Sequence, residues 1–132
     1  MAITGHILIM YVQDQDKSTM FYTRVLGIEP QLYVPGMTEF ALSDGGALGL
    51  MPAAGIKRLL GDPLPDPMLA AGIPRAELYL RVENAARYHG RALEQGAQEL
   101  SGLELRDWGE RVAYSLDLDG HVLAFAEAAS SL

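Results

Sequence analysis

Side chains able to do chemistry are sparse in this sequence and far apart. There is no cysteine, which removes a thiolate nucleophile, a Cys-type zinc or iron-sulfur site and a disulfide framework, and agrees with a reducing compartment. No Gly-x-Ser-x-Gly elbow occurs, and no serine has a histidine partner readable from spacing, so no catalytic residue is assigned. The three histidines, His6, His89 and His121, are scattered. His89 falls among Ala85, Ala92 and Leu93 at helical spacing, as a half-buried helix residue would, and His121 follows a turn glycine. The one cluster of mixed character is Glu77, Tyr79 and Arg81, which alternate and so share one face of a strand. Glu77 could work as a general acid or base if burial raised its pKa towards neutrality. It could equally pair with Arg81, with solvent or with a dimer mate. Trp108, the only tryptophan, precedes Gly109 in a loop. There a large ring serves as a ligand platform, a dimer plug or a cap over the end of a barrel.

The elements that must position these residues repeat. His6 to Val12 reads as a strand apolar on both faces, as expected when both are covered. A helix follows, capped by Asp14 or Asp16, with Phe21, Tyr22, Val25 and Leu26 on its apolar face and Gly27 just past its end. Gln31 to Val34, Glu39 to Leu42 and Ala47 to Met51 read as three short strands separated by Pro35-Gly36 and Asp44-Gly45-Gly46. Residues 52–74 hold five of the seven prolines and read as a connector with a helical turn near Ile56 to Leu60. The order then begins again. Glu77 to Val82 is a strand, Asn84 caps a helix running to Gln95 with Gly96 at its end, and strands follow near Glu99 to Leu105, Val112 to Leu118 and Val122 to Ala126. Asp119-Gly120 predicts a tight hairpin between the last two. Tyr11 to Asp14 overlies Arg81 to Asn84, and Ser43 to Leu50 overlies Leu118 to Phe125, in pattern and turn chemistry more than identity. An internal duplication is therefore expected.

At 132 residues the chain has the size of one domain able to bury a core without staples. Its formal charge of -7 is spread along the sequence, which favours solubility and argues against a nucleic-acid partner. No run could span a membrane and none reads as a signal peptide, so a cytoplasmic protein is expected.

Three segments carry a family resemblance. They are Tyr11-Val12-Gln13-Asp14 with Phe21-Tyr22 and Leu26-Gly27-Ile28, then Asp107-Trp108-Gly109, then Leu116-Asp117-Leu118-Asp119-Gly120-His121. Together they resemble the vicinal oxygen chelate superfamily, which includes glyoxalase I, extradiol dioxygenases, fosfomycin-modifying enzymes and bleomycin-binding resistance proteins. The resemblance covers nearly the whole chain. It implies an α+β fold of two tandem βαβββ modules, 5–52 and 75–128 with a connector at 53–74, forming a curved mixed sheet around a cavity, commonly in a homodimer. Metal-dependent members hold a divalent ion there, with ligands on the first and last strands of each module, so that the ion can polarise two neighbouring substrate oxygens.

Carried onto this sequence, the four ligand positions are Ile7, Gly49, Glu77 and Ala124. One carboxylate remains where chelation needs at least three donors, so no metal site and no cofactor are assigned. A register slip or bulge could bring His6 in, but a slip would also turn Leu8, Met10 and Val12 into the cavity. By alternation Ile9, Tyr11, Tyr79 and Arg81 share the cavity face, as do Ala47, Met51, Val122 and Ala126. The expected ligand-binding wall is Ile7, Ile9, Tyr11, Gly49, Met51, Glu77, Tyr79, Arg81, Trp108 and Ala124, apolar with a few orienting polar groups. In bleomycin-binding relatives a similar Trp-Gly lies beside the ligand groove. The resulting expectation is a metal-free protein holding an unidentified small organic molecule, closest in character to the metal-free bleomycin-resistance type. The alternative is a metal-dependent lyase, isomerase or dioxygenase of the glyoxalase type with a rearranged site.

Overall fold

The computed structural model describes residues 2–129. It shows two successive βαβββ runs, each with its own four-stranded mixed sheet. The first holds β1 (His6–Val12), α1 (Gln15–Leu26), β2 (Leu32–Val34), β3 (Met37–Ala41) and β4 (Gly46–Pro52). The connector carries α2 (Ala53–Leu60) and a short 3-10 turn (Pro67–Ala70), more helix than the single turn expected. The second run holds β5 (Glu77–Arg81), α3 (Ala85–Glu94), β6 (Gln98–Leu105), β7 (Glu110–Leu116) and β8 (Val122–Ala128). Contacts divide the chain into two compact units. Residues up to Thr23 group with Gly27–Ala71, and Arg24–Leu26 group with Gly72 onward.

In the first sheet the order is β1-β4-β3-β2, with β1 parallel to β4 and the rest antiparallel. Met10, Val12, Leu48, Leu50 and Phe40 are buried on one face together with Phe21 and Tyr22 of α1. The Tyr22 hydroxyl donates to the Met10 sulfur at 3.6 Å, and the Thr19 and Thr38 hydroxyls meet at 2.8 Å, so the helix is seated by packing and by satisfied polar groups. Asp14, not Asp16, caps α1, its Oδ1 accepting from the Lys17 N–H at 3.0 Å, and Gly27 closes the helix at φ 72°.

β1 departs from the expectation of a strand covered on both faces. It is an edge strand, buried at Met10 and Val12, while Ile7, Leu8 and Tyr11 are 38%, 41% and 37% exposed.

The second sheet repeats the topology as β5-β8-β7-β6. Leu78, Leu123, Phe125 and Ala113 are buried on the face towards α3, whose Ala85, His89 and Ala92 are buried in turn. Asn84 caps α3 by accepting from the Arg87 N–H at 3.1 Å. Asp117 to His121 forms the last turn, wider than the two-residue hairpin the Asp-Gly pair suggests. Buried Asp117 accepts from the N–H of Asp119 at 2.9 Å and of His121 at 2.8 Å, and Gly120 sits at φ 87°. Among the described residues no helix is long and apolar enough to cross a membrane.

Candidate functional site

Strand register decides which side chains can converge. In the first unit Ile7, Ile9 and Tyr11 pair with Ala47, Gly49 and Met51, so all six lie on the sheet face away from α1. That is the expected grouping of Ile7, Ile9, Tyr11, Gly49 and Met51. A Cβ at Gly49 would meet Ile7 Cδ1 at 2.9 Å, Ile9 Cγ1 at 3.0 Å and Met37 Cε at 3.2 Å. A side chain at position 49 would have to push aside the ends of Ile7 and Met37 and the Ile9 side chain.

The β1 register runs unbroken from His6 to Val12. His6 therefore has the parity of Met10 and Val12, opposite to Ile7, and its Nε2 lies 2.7 Å from where a Gly46 Cβ would stand. The bulge that would have brought His6 to the Ile7 face is not there.

In the second unit Glu77, Tyr79 and Arg81 pair with Val122, Ala124 and Ala126, and Tyr114 and Val112 pair with Ala124 and Ala126 from the other side. Ala124 is fully buried in a cluster with Val112 and Ala126, with Tyr79 and Tyr114 packed against it. Position 124 has become the floor beneath two tyrosines.

Of the alternatives open for Glu77, a pairing with Arg81 does not form: Arg81 joins a network centred on Glu110. Its carboxylate accepts from Arg81 Nε at 2.8 Å, from Arg81 Nη2 at 3.3 Å and from the Tyr79 hydroxyl at 2.5 Å. The Tyr79 oxygen in turn accepts from the Trp108 indole N–H at 2.9 Å. Glu77 and Arg81 are four residues apart on one strand, a span of about 13 Å, whereas Glu110 reaches Arg81 from β7 across the intervening β8, on the face that Tyr79 and Arg81 share.

The Arg81 guanidinium and the Tyr79 hydroxyl hold the Glu110 carboxyl below the ordinary glutamate value. Burial first, and then the bond to Glu110, raise the Tyr79 phenol, so it stays protonated as a donor at neutral pH. Arg81 also lies 5.3 Å from the Tyr79 ring centre, and Arg106 lies 5.1 Å from that of Tyr114.

Glu110 was the residue sequence reasoning missed, because the apolar pattern begins the strand at Val112. The signal was parity: Glu110, Val112 and Tyr114 alternate onto the face that carries Tyr79. His89 lies on α3 as expected but is buried where half-burial was expected, with Nε2 2.8 Å from Glu99 Oε2.

A hollow of about 340 Å³ lies in the first unit, lined by Asp14, Gln15, Asp16, Tyr33, Val34 and Pro35, none of them an expected site residue. The Gln15 side chain spans it, bonding Val34 O, Thr38 Oγ1 and the Gly36 N–H, so its polar groups fasten the β2–β3 turn to α1.

A model of the Glyoxalase/Bleomycin resistance protein/Dioxygenase superfamily matches residues 3–125. The chain belongs to that superfamily. Solved structures agree in fold. A glyoxalase-related enzyme from Fulvimarina pelagi superposes with TM-score 0.78 at 20% identity, covering 92% of this chain and 86% of its own. A glyoxalase/bleomycin resistance protein/dioxygenase family enzyme from Burkholderia phytofirmans PsJN gives 0.75 at 14% identity, over 93% and 97% of the two chains. A glyoxalase/bleomycin resistance protein from Catenulispora acidiphila gives 0.67 at 24% identity, over 96% and 100%. At such identities the likeness is one of fold. No curated protein matches the chain.

The metal that chelating members of this superfamily use does not fit the residues present. Of positions 7, 49, 77 and 124 only Glu77 offers a donor. Among the described residues no three His, Cys, Asp or Glu side chains stand close enough to share an ion.

Proposed function

We propose that this chain binds a small organic molecule without a metal, on the face of the second sheet that carries Tyr79, Arg81 and Trp108. One observation carries the proposal: two of the four positions that would chelate, 49 and 124, are taken up by packing. Gly49 is crowded by Ile7, Ile9 and Met37, and Ala124 lies under Tyr79 and Tyr114. Beside them stands a polar network on an apolar floor, the composition of a site that binds by shape and a few oriented groups. No catalytic residue is assigned. Sequestration of the ligand, as in bleomycin-binding proteins, is the corresponding activity.

The same proposal takes the chain as a cytoplasmic homodimer. Ile7, Leu8 and Tyr11 leave apolar surface on an edge strand, which a second copy would cover. Sedimentation of the purified protein tests the dimer.

Binding is tested by thermal shift against a panel of aromatic and heteroaromatic molecules, bleomycin included, in the presence of EDTA. A ligand that binds only the native state at a hundred times its Kd stabilises it by about 2.7 kcal/mol, so a hit raises Tm and EDTA leaves the rise intact. Turnover of a hemithioacetal that appears on adding a divalent metal would overturn the proposal.

A further inference from the structure

The Arg81 guanidinium is used along one edge only. Its Nε and Nη2 face Glu110, while among the described residues Nη1 has no hydrogen-bond partner, and the side chain is 74% exposed. The side-on contact fixes the plane of the guanidinium and aims its Nη1/Nη2 edge outward, the edge that can grip a second carboxylate with two parallel bonds. Three successive hydrogen bonds tie this cation to the indole of Trp108 through Tyr79 and Glu110. The indole N–H is thereby satisfied, and the ring, 56% exposed, is held as a fixed apolar surface.

Two charges on the same face bear on the sign of the ligand. Arg81 and Glu110 together carry no net charge but leave outward Arg81 N–H donors unused, the positive charge without a carboxylate partner on this face is that of Arg106, and Glu77 stands at the far end of β5. On the same side Arg106 lies over the Tyr114 ring and bonds to the carbonyls of Gly102 and Val112 and to Ser101 Oγ. Among the described residues it has no carboxylate partner within salt-bridge distance. In a protein of formal charge -7, this face presents an open arginine edge beside exposed aromatic surface.

We infer that Arg81, Trp108, Tyr79 and Glu110 form a subsite for a planar organic anion, a carboxylate joined to an aromatic or conjugated ring. The carboxylate takes the outward edge of Arg81 and the ring lies on Trp108. Glu110 and Tyr79 are positioning residues, holding the arginine and the indole without touching the ligand. This assignment rests on the small-molecule reading above and adds the ligand's charge and shape.

Because Trp108 is the only tryptophan, its fluorescence reports directly on the subsite. Benzoate, benzamide and benzylamine are titrated into the intact protein at low and raised salt. Benzoate is expected to bind about tenfold or more tightly than the neutral and cationic probes, as a charge-assisted bidentate contact provides. Its affinity falls as salt rises. Arg81→Gln is expected to remove the preference of benzoate over benzamide, and Arg81→Lys to restore only part of it. Trp108→Phe, followed by calorimetry with Tm confirming the fold, weakens benzoate and benzamide together. Equal affinity for benzoate and benzamide, or unchanged benzoate affinity in Arg81→Gln, would overturn the anion assignment. If neutral or cationic rings alone bind at Trp108, the anion subsite falls and small-molecule binding stands. If no probe binds and the wider ligand panel produces no thermal shift, both fall.

Discussion

At the scale of single residues, positions 49 and 124 explain why the chelating set cannot be restored by one exchange. Gly49→Glu would drive a carboxylate among Ile7, Ile9 and Met37, and Ala124→Glu would drive one under Tyr79 and Tyr114. Each combines overpacking with burial of a charge that has no partner. Each is expected to lower unfolding free energy by about 2–4 kcal/mol in urea denaturation, with no gain in metal affinity. Glu110 acts through its charge. Its pKa is depressed in the folded protein, so the stability it contributes is present above the ordinary value of 4.5 and is lost as pH falls through the lower folded value. The Tm gap between the wild type and Glu110→Gln is therefore widest near neutrality and closes in acid. A gap that stays constant through the acid range would contradict this.

Elements were more legible than contacts. The caps at Asp14 and Asn84, the closing Gly27 and the two βαβββ orders follow from residue types whose backbone preferences are local. Asp14→Ala and Asn84→Ala should each cost about 1 kcal/mol, read as a shift in denaturation midpoint. What escaped the sequence depends on partners distant in the chain. The Glu110 network needs β5 and β7 to be brought to one face, the exposure of Ile7 and Leu8 follows from β1 lying at an edge, and the connector's helix α2 has no side-chain cap to announce it. The Asp119-Gly120 turn was foreseen, yet its anchor is Asp117, which accepts two backbone N–H groups. A Cβ at Gly120 would fall 2.7 Å from the Gly72 carbonyl oxygen, at a φ of 87° that side chains avoid. Gly120→Ala should therefore destabilise by about 1–3 kcal/mol in thermal or chemical unfolding. A neutral result there would show that the turn and the Gly72 segment can move apart.

For the molecule as a whole, the scaffold of the superfamily is retained, and Ile7, Gly49 and Ala124 carry no side-chain atom that could bind a metal. The fold, the repeat and the shared face of Tyr79 and Arg81 were within reach of the sequence, because alternation along a strand fixes which residues share a face. That positions 7, 49 and 124 carry no donor atom was also readable, since Ile, Gly and Ala have none whatever their surroundings. Metal-free binding is tested most directly by equilibrium dialysis of the purified protein against Ni, Zn, Mn and Fe, followed by measurement of metal per chain and of Tm. The expected result is metal far below one ion per chain and an unshifted Tm with every ion. A stoichiometric ion that raises Tm and is lost in Glu77→Ala would contradict it.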